Sequence, residues 1–173
     1  PNLSIAVRVY SDSGQIIEAT GTGELALAGP CVFLGYLNQP HSGLFTEGYF
    51  MTGDTVSVDH EGYISIVGRS KDMFISGGEN VYPSEVEKVL SGHPHIHSIA
   101  VVGVPHPKWG EVGRAYIESI SEMSPSDIQA LRTWSRNHLA AFKVPKEFVV
   151  LDTLPRNASG KVQKQLLSRE ITS

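Results

Sequence analysis

The 173-residue sequence holds a single cysteine, Cys31. It cannot close an internal disulfide, so packing must hold the fold, and a reducing, cytoplasmic setting is the expectation. No histidine stands close to it in sequence, and Cys31 is expected to be a small buried residue rather than a nucleophile. A basic surplus is also missing: Lys and Arg number 14 against 18 Asp and Glu, for a net charge of −4. A protein held to nucleic acid by phosphate neutralisation needs the opposite balance. No apolar stretch reaches the roughly 18–20 residues of a membrane span. The longest runs over residues 99–104. No signal or transit peptide opens the chain, which begins at Pro1 rather than Met, so a piece of a longer protein is expected.

What is present points to a folded, turn-rich chain. AVILMFWYC residues make up 40% and charged residues 18%, a balance that excludes intrinsic disorder. The 17 glycines and 10 prolines punctuate short β-rich runs at 4–10, 23–28, 56–58 and 63–67. These predict a barrel-like lobe without helices. After Gly68 the pattern changes. A short strand is predicted at 73–75, then a helix from Pro83 to about Ser91, with Glu85 and Glu87 favouring its positive end. The apolar run at 98–104 predicts a central strand, and 114–119 predicts another. Ser124 reads as an N-cap, with Pro125 at the first helical position and Asp127 three residues past the cap. Ile128, Leu131, Trp134 or Ser135, and Leu139 then share one face. A last strand is predicted at 147–151 and a short helix after Gly160. The predicted class is α+β. A β-rich lobe covers residues 1–68, and a two-layer α/β sandwich of β-α-β-β-α-β order covers 69–173. Residues 68–72 form the linker, short enough that a few backbone torsions would set the lobes' orientation.

Three segments could carry chemistry. Asp54, after Thr52-Gly53 at a predicted strand start, could accept two hydroxyl hydrogen bonds, as from a ribose, or could cap a polar β-turn. Arg69, in Gly68-Arg69-Ser70-Lys71-Asp72, offers a planar donor fork. Gly77 and Gly78 allow close approach of a ligand. The same stretch also reads as a linker followed by a turn. Neither a dinucleotide fingerprint nor a Walker loop is present. Lys161, in Pro155-Arg156-Asn157-Ala158-Ser159-Gly160-Lys161, is a mobile point charge able to stabilise a negative transition state, or part of a solvated loop. His93, His95 and His97 alternate, but no carboxylate or cysteine completes a metal set, and none is assigned. Trp109 and Trp134 read as packing residues.

Together and in this order these segments resemble the acyl-adenylate-forming enzymes, a family that includes acyl-CoA synthetases, peptide-synthetase adenylation domains and luciferase. The resemblance spans Gly23-Glu24-Leu25, Gly35-Tyr36, Thr52-Gly53-Asp54, GRSKDMFISGGENVYPSEVE (68–87) and PRNASGK (155–161). The run AVVGVPHPKWGE (100–111) looks most like the acyl-CoA synthetase branch. It implies formation of an acyl-adenylate from ATP and a carboxylic acid, then of a thioester with CoA, with Mg2+ accompanying ATP. It implies that Asp54 binds the ribose hydroxyls, that Arg69 binds near them, and that Lys161 is the catalytic lysine of adenylation. Lys71 would mark the hinge of a mobile C-terminal domain. Gly77 and Gly78 would line the pantetheine channel, and Phe142, Lys143 and Lys146 would contact the CoA nucleotide. The family's phosphate loop and acyl pocket are not in this sequence. The rest of an N-terminal domain is therefore an expected partner, and the chain alone is expected to be inactive. A non-catalytic binding or regulatory module built from such a C-domain is the alternative.

Overall fold

The computed structural model describes residues 4–38 and 43–169; Pro1, read above as the sign of a fragment, lies outside them. The chain divides into two compact units, Pro1–Lys71 and Asp72–Ser173.

The first unit is an antiparallel sheet built around one long strand. Strands β1 (Ala6–Tyr10), β2 (Gly21–Ala28), β3 (Phe45–Thr46), β4 (Tyr49–Val58) and β5 (Ile64–Arg69) are its members. β1 pairs with β2 and β2 with β4; the other edge of β4 is shared by β3 and then β5. The strand expected at residues 56–58 is thus only the end of a ten-residue strand. Polar Thr52, Gly53 and Asp54 interrupt the sequence signal, yet the strand passes through them. The irregularity is absorbed by register shifts on both neighbours, between Glu24 and Ala26 and between Thr55 and Val56. Asp54 therefore stands mid-strand beside a bulge, neither at a strand start nor in a turn. Gly23 is needed because a Cβ there would collide with the Tyr10 carbonyl of β1. Phe33 meets Phe50 and Tyr36 edge-on, at 4.7 and 4.9 Å between centroids. Cys31 is exposed, contrary to the buried position expected from its residue type. It lies in the irregular stretch after β2, which gives it no strand face to bury.

The second unit is a mixed sheet with helices on both faces. A 3-10 turn, Ser70–Asp72, precedes β6 (Phe74–Ser76) and β7 (Glu79–Val81). Then come α1 (Pro83–Leu90), β8 (Ile96–His106), β9 (Gly110–Ser119), α2 (Pro125–His138), β10 (Glu147–Leu151) and α3 (Lys164–Arg169). β7 escapes the sequence pattern because Glu79 and Asn80 are polar. It exists because Gly77 and Gly78, with φ of 63° and 90°, close a two-residue hairpin onto β6.

The centre of this sheet is β9, not β8. β9 pairs antiparallel with β8, parallel with β10, and with β6 through Ser76 and Gly110. The α2 crossover makes the parallel pair possible. On the other edge of β8, the Val101 N–H donates to Glu87 Oε1 at 2.7 Å, a helix side chain instead of a strand. The apolar run of β8 reports burial on both faces, not two strand neighbours. Val101, with Ala115 and Ile117, packs under Val86, Leu90, Leu131 and Leu139. Ala100, Val102 and Val104 pack with Val112, Tyr116 and Leu167 on the opposite face.

The helix caps follow the sequence. Ser124 Oγ accepts from Asp127 N, and the Asp127 carboxylate accepts from Ser124 N at 2.9 Å. The Ser124 hydroxyl and N–H hold the Asp127 carboxyl below its ordinary value. On α2, Leu131 and Ser135 are buried, and the Ser135 hydroxyl is satisfied by the Leu131 carbonyl at 2.7 Å. The Trp134 indole stacks on His138 at 4.0 Å and receives His93 edge-on at 5.2 Å. His95 lies 5.5 Å from His93. The described residues contain no group of three or more His, Cys, Asp or Glu side chains that could hold a metal ion.

Two outcomes follow from this packing. A Cβ on Gly103 would lie 2.5 Å from Phe74 Cβ, an atom fixed to the backbone of β6. Gly103→Ala should therefore cost about 1–3 kcal/mol in urea denaturation. The second concerns His93, whose pKa is lowered by burial and, secondarily, by His95. Below the unperturbed value of about 6.5 the unfolded chain takes up the proton more readily than the fold does. Stability should fall as pH drops through that value, and His93→Gln should flatten the slope between about pH 7 and 5 in denaturation midpoints.

Candidate functional site

In the first unit the candidate site is the bulge of β4. Asp54 and Arg69 are direct cross-strand partners on β4 and β5. Arg69 Nε lies 2.8 Å from Asp54 Oδ1, and its Nη1 donates to the Thr52 carbonyl at 3.0 Å. The guanidinium thus ties the carboxylate to its own strand. Both groups are partly exposed. Gly53 has φ +72°, a torsion that favours glycine, and Arg69 Nη1 lies 3.7 Å from where its Cβ would be.

Glu24, quoted above only as part of a motif, has a structural task in this site. Its Oε1 accepts from Gly53 N at 3.0 Å, while Thr52 Oγ1 donates to the Leu25 carbonyl at 2.8 Å and accepts from Asp54 N at 3.1 Å. The β2 side chain and backbone thereby hold the bulge that points Asp54. The spacing of Gly23-Glu24-Leu25 gave no hint of this, because the contact spans 29 residues.

The second unit gathers three of the five residues read as CoA contacts. A cavity of about 260 Å³ is lined by Ser76, Gly77, Glu79, Trp109, Ala141, Phe142 and Lys146. Gly78 is on the hairpin beside it and does not line it. Lys143 turns to Glu85, with Nζ 2.6 Å from Oε1. Trp109, expected to be a packing residue, lines this cavity. The residue is 41% exposed, and a Cβ on Gly77 would come within 3.0 Å of its ring. The Gly77 N–H donates to the Trp109 carbonyl at 2.9 Å, which latches the hairpin to the β8–β9 loop. His106 Nδ1 accepts from the N–H groups of Lys108 and Trp109 at 3.2 and 3.3 Å. Lys108 Nζ sits 4.8 Å from the Trp109 ring centroid. The cavity thus offers an aromatic face with Lys146 on its wall and Lys108 beside it.

Lys161 stands on a separate loop of the same unit. Its backbone is held: Lys161 N donates to Asn157 Oδ1 and its carbonyl accepts from Asn157 N, both at 2.9 Å. Its side chain is exposed, and none of the ion pairs among the described residues involves it. Lys71 is exposed and occupies the 3-10 turn at the division between the units. A larger cavity, about 520 Å³, lies in the first unit beside β1 and the turn at residues 59–62 and includes none of the residues read as functional.

Comparison with known proteins adds the following. Residues 85–161 match the AMP-binding enzyme C-terminal domain. Feruloyl-CoA synthase of an Amycolatopsis species is 42% identical over 166 residues, covering 95% of this chain and 34% of that enzyme. The 2-succinylbenzoate–CoA ligase of Staphylococcus aureus is 40% identical over 170 residues, covering 98% of this chain and 33% of that enzyme. Among solved structures, o-succinylbenzoate CoA synthetase of Bacillus subtilis, in complex with its acyl-adenylate intermediate, superposes with a TM-score of 0.86 at 37% identity. That match covers 98% of this chain and 34% of the other. The chain spans about a third of the length of the relatives it matches.

Proposed function

We propose, since the chain carries the AMP-binding enzyme C-terminal domain and so belongs to the acyl-adenylate-forming enzymes, that it is the C-terminal part of an ATP-dependent carboxylate–CoA ligase. In the first step a carboxylate oxygen of the acid attacks the α-phosphorus of ATP, and the bond to pyrophosphate breaks. In the second the CoA thiolate attacks the acyl carbon, and AMP leaves. The residues before Arg69 are the end of the large domain that completes the active site. Its acyl and phosphate pockets lie outside this sequence. The exposed Leu34, Leu37 and Ile66 of the first unit are apolar surface of the kind that domain would cover. A cytoplasmic setting belongs to the same proposal.

Asp54 accepts the ribose hydroxyls of ATP, aimed by Arg69 and by the bulge that Glu24 holds. Lys161 brings its charge to the carboxylate and the transferring phosphoryl group. Gly77, Trp109, Phe142 and Lys146 form a wall for CoA, whose adenine has a flat face for Trp109 and whose phosphates suit Lys146. Gly78 shapes this wall through the hairpin, and Lys143, committed to Glu85, contributes less. Mg2+ enters with ATP as part of the substrate. The described residues offer no group of three or more His, Cys, Asp or Glu side chains to hold it.

The observation that carries the reading is the placement of the two sites within the second unit. Gly110 pairs with Ser76 next to the cavity, and Glu118, at the other end of the same strand, pairs with Arg156 of the Lys161 loop. Eight residues of extended strand separate Gly110 from Glu118, roughly 26 Å. Lys161 and the CoA wall cannot both serve one acyl group at once. A unit that turns about Lys71 between the two steps would meet that constraint.

Acid-dependent ATP–pyrophosphate exchange tests the proposal. Ferulic acid, 2-succinylbenzoic acid, a fatty acid and a short dicarboxylic acid would be offered to the chain and to the complete product of its gene. The complete product should exchange with at least one acid and the chain alone with none. Lys161→Ala should lower the rate about 10²- to 10³-fold. Silence of the complete product would favour a binding or regulatory module, and exchange by the chain alone would mean that the ATP site is misplaced.

A further inference from the structure

We propose that Arg156 is a positioning residue for Lys161, a role that rests on the reading of Lys161 given above. One guanidinium joins three groups. Its Nη1 donates to the Gly160 carbonyl at 3.1 Å, next to Lys161. Its Nη2 donates to Ser98 Oγ at 2.8 Å and lies 3.2 Å from Glu118 Oε2. Ser98 and Glu118 are themselves cross-strand partners on β8 and β9. The fork therefore fastens the residue before Lys161 to the end of β9 and the start of β8. A single ammonium could not reach all three groups with the same geometry.

The rest of the loop completes the hold. Asn157 Oδ1 accepts from Ser159 N, Ser159 Oγ and Lys161 N. Arg156 and Val162 form a bridge across its base. Downstream, Lys164 Nζ pairs with Glu87 Oε1 at 2.7 Å, and that same oxygen receives the Val101 N–H of β8. The backbone of Lys161 is thus tied to the sheet on both sides, while its side chain is exposed and enters none of the ion pairs among the described residues. This is the arrangement a transferable charge requires, since a reacting group gains from fixed placement and loses by being neutralised at rest. Of the ties among the described residues, Arg156 is the one that connects the loop to β9.

The test is a double-substitution cycle in the complete gene product, read by ATP–pyrophosphate exchange with the most active acid. Lysine-specific proteolysis at the Lys161–Val162 bond is followed alongside it. Arg156→Gln should slow exchange about 10- to 100-fold, with an unchanged melting temperature and several-fold faster cleavage after Lys161. In the Lys161→Ala background Arg156→Gln should slow exchange no further, because there is no amine left to place. Arg156→Lys should restore less than half of the lost rate. If Lys161→Ala itself leaves exchange unchanged, the assignment of Lys161 fails, and this inference with it. If Lys161→Ala removes exchange but Arg156→Gln costs less than twofold, or costs as much again in the Lys161→Ala background, Arg156 does not act through Lys161. Equal cleavage rates after Lys161 would overturn the inference even if every acid gave too weak a signal to rank the variants.

Discussion

Strand β9 is bonded along both edges, and the candidate functional parts of the second unit hang from it in order. Gly110 fixes β6 through Ser76 and so places the Gly77–Gly78 hairpin. The Gly113 carbonyl accepts from Lys146 N at 2.8 Å. Arg114 Nη2 meets Glu147 at 2.6 Å, and that carboxylate, with the Tyr116 hydroxyl, keeps the guanidinium protonated beyond its ordinary range. The buried Tyr116 hydroxyl donates to the Leu167 carbonyl and pins α3. Glu118 receives Arg156. A cavity at one end of the strand and an exposed lysine at the other are therefore parts of one piece. The distance between them is set by strand geometry and not by loop flexibility.

The first unit solves a different problem. In the role proposed for Asp54, an acceptor for a diol must be held at a fixed angle yet remain open to ligand. The sheet does this by spending a bulge on Asp54, with Glu24 on one side and Arg69 on the other. Bulges beside functional groups re-aim a side chain without ending the strand. The core beneath is small: Val9, Tyr10, Ala26 and Val56 are its buried hydrophobic residues among those described. That matches a piece whose apolar surface is shared with a larger domain.

Much of the fold was legible in local signals. Ser124-Pro125 and Asp127 marked the start of α2, Pro83 the start of α1, and the last strand expected at 147–151 is β10 to the residue. What was not legible depended on distant partners. β4 continued through Thr52-Gly53-Asp54 because its neighbours absorbed the irregularity. β7 formed because a glycine hairpin folded polar residues onto β6. β8 resembled a central strand because helices cover both its faces. The candidate site divides in the same way. Motifs single out Asp54, Arg69 and Lys161 as candidates. Glu24 and Arg156 were not, since each acts through contacts 29 to 58 residues away. The partial exposure of Trp109 on the cavity wall was not legible, because a lone tryptophan in sequence carries no sign of exposure.

The central claim is that the second unit presents two separate sites to two successive steps. It is tested most directly by the second step alone. The acyl-adenylate of an accepted acid would be supplied with CoA to the complete gene product, and thioester formation followed in a single turnover. The account predicts that Lys161→Ala proceeds at close to the native rate. Trp109→Ala should slow by about 10- to 100-fold, the range for loss of a base-stacking aromatic. If Lys161→Ala slowed as much as Trp109→Ala, the two sites would be serving the same step and the account would be wrong.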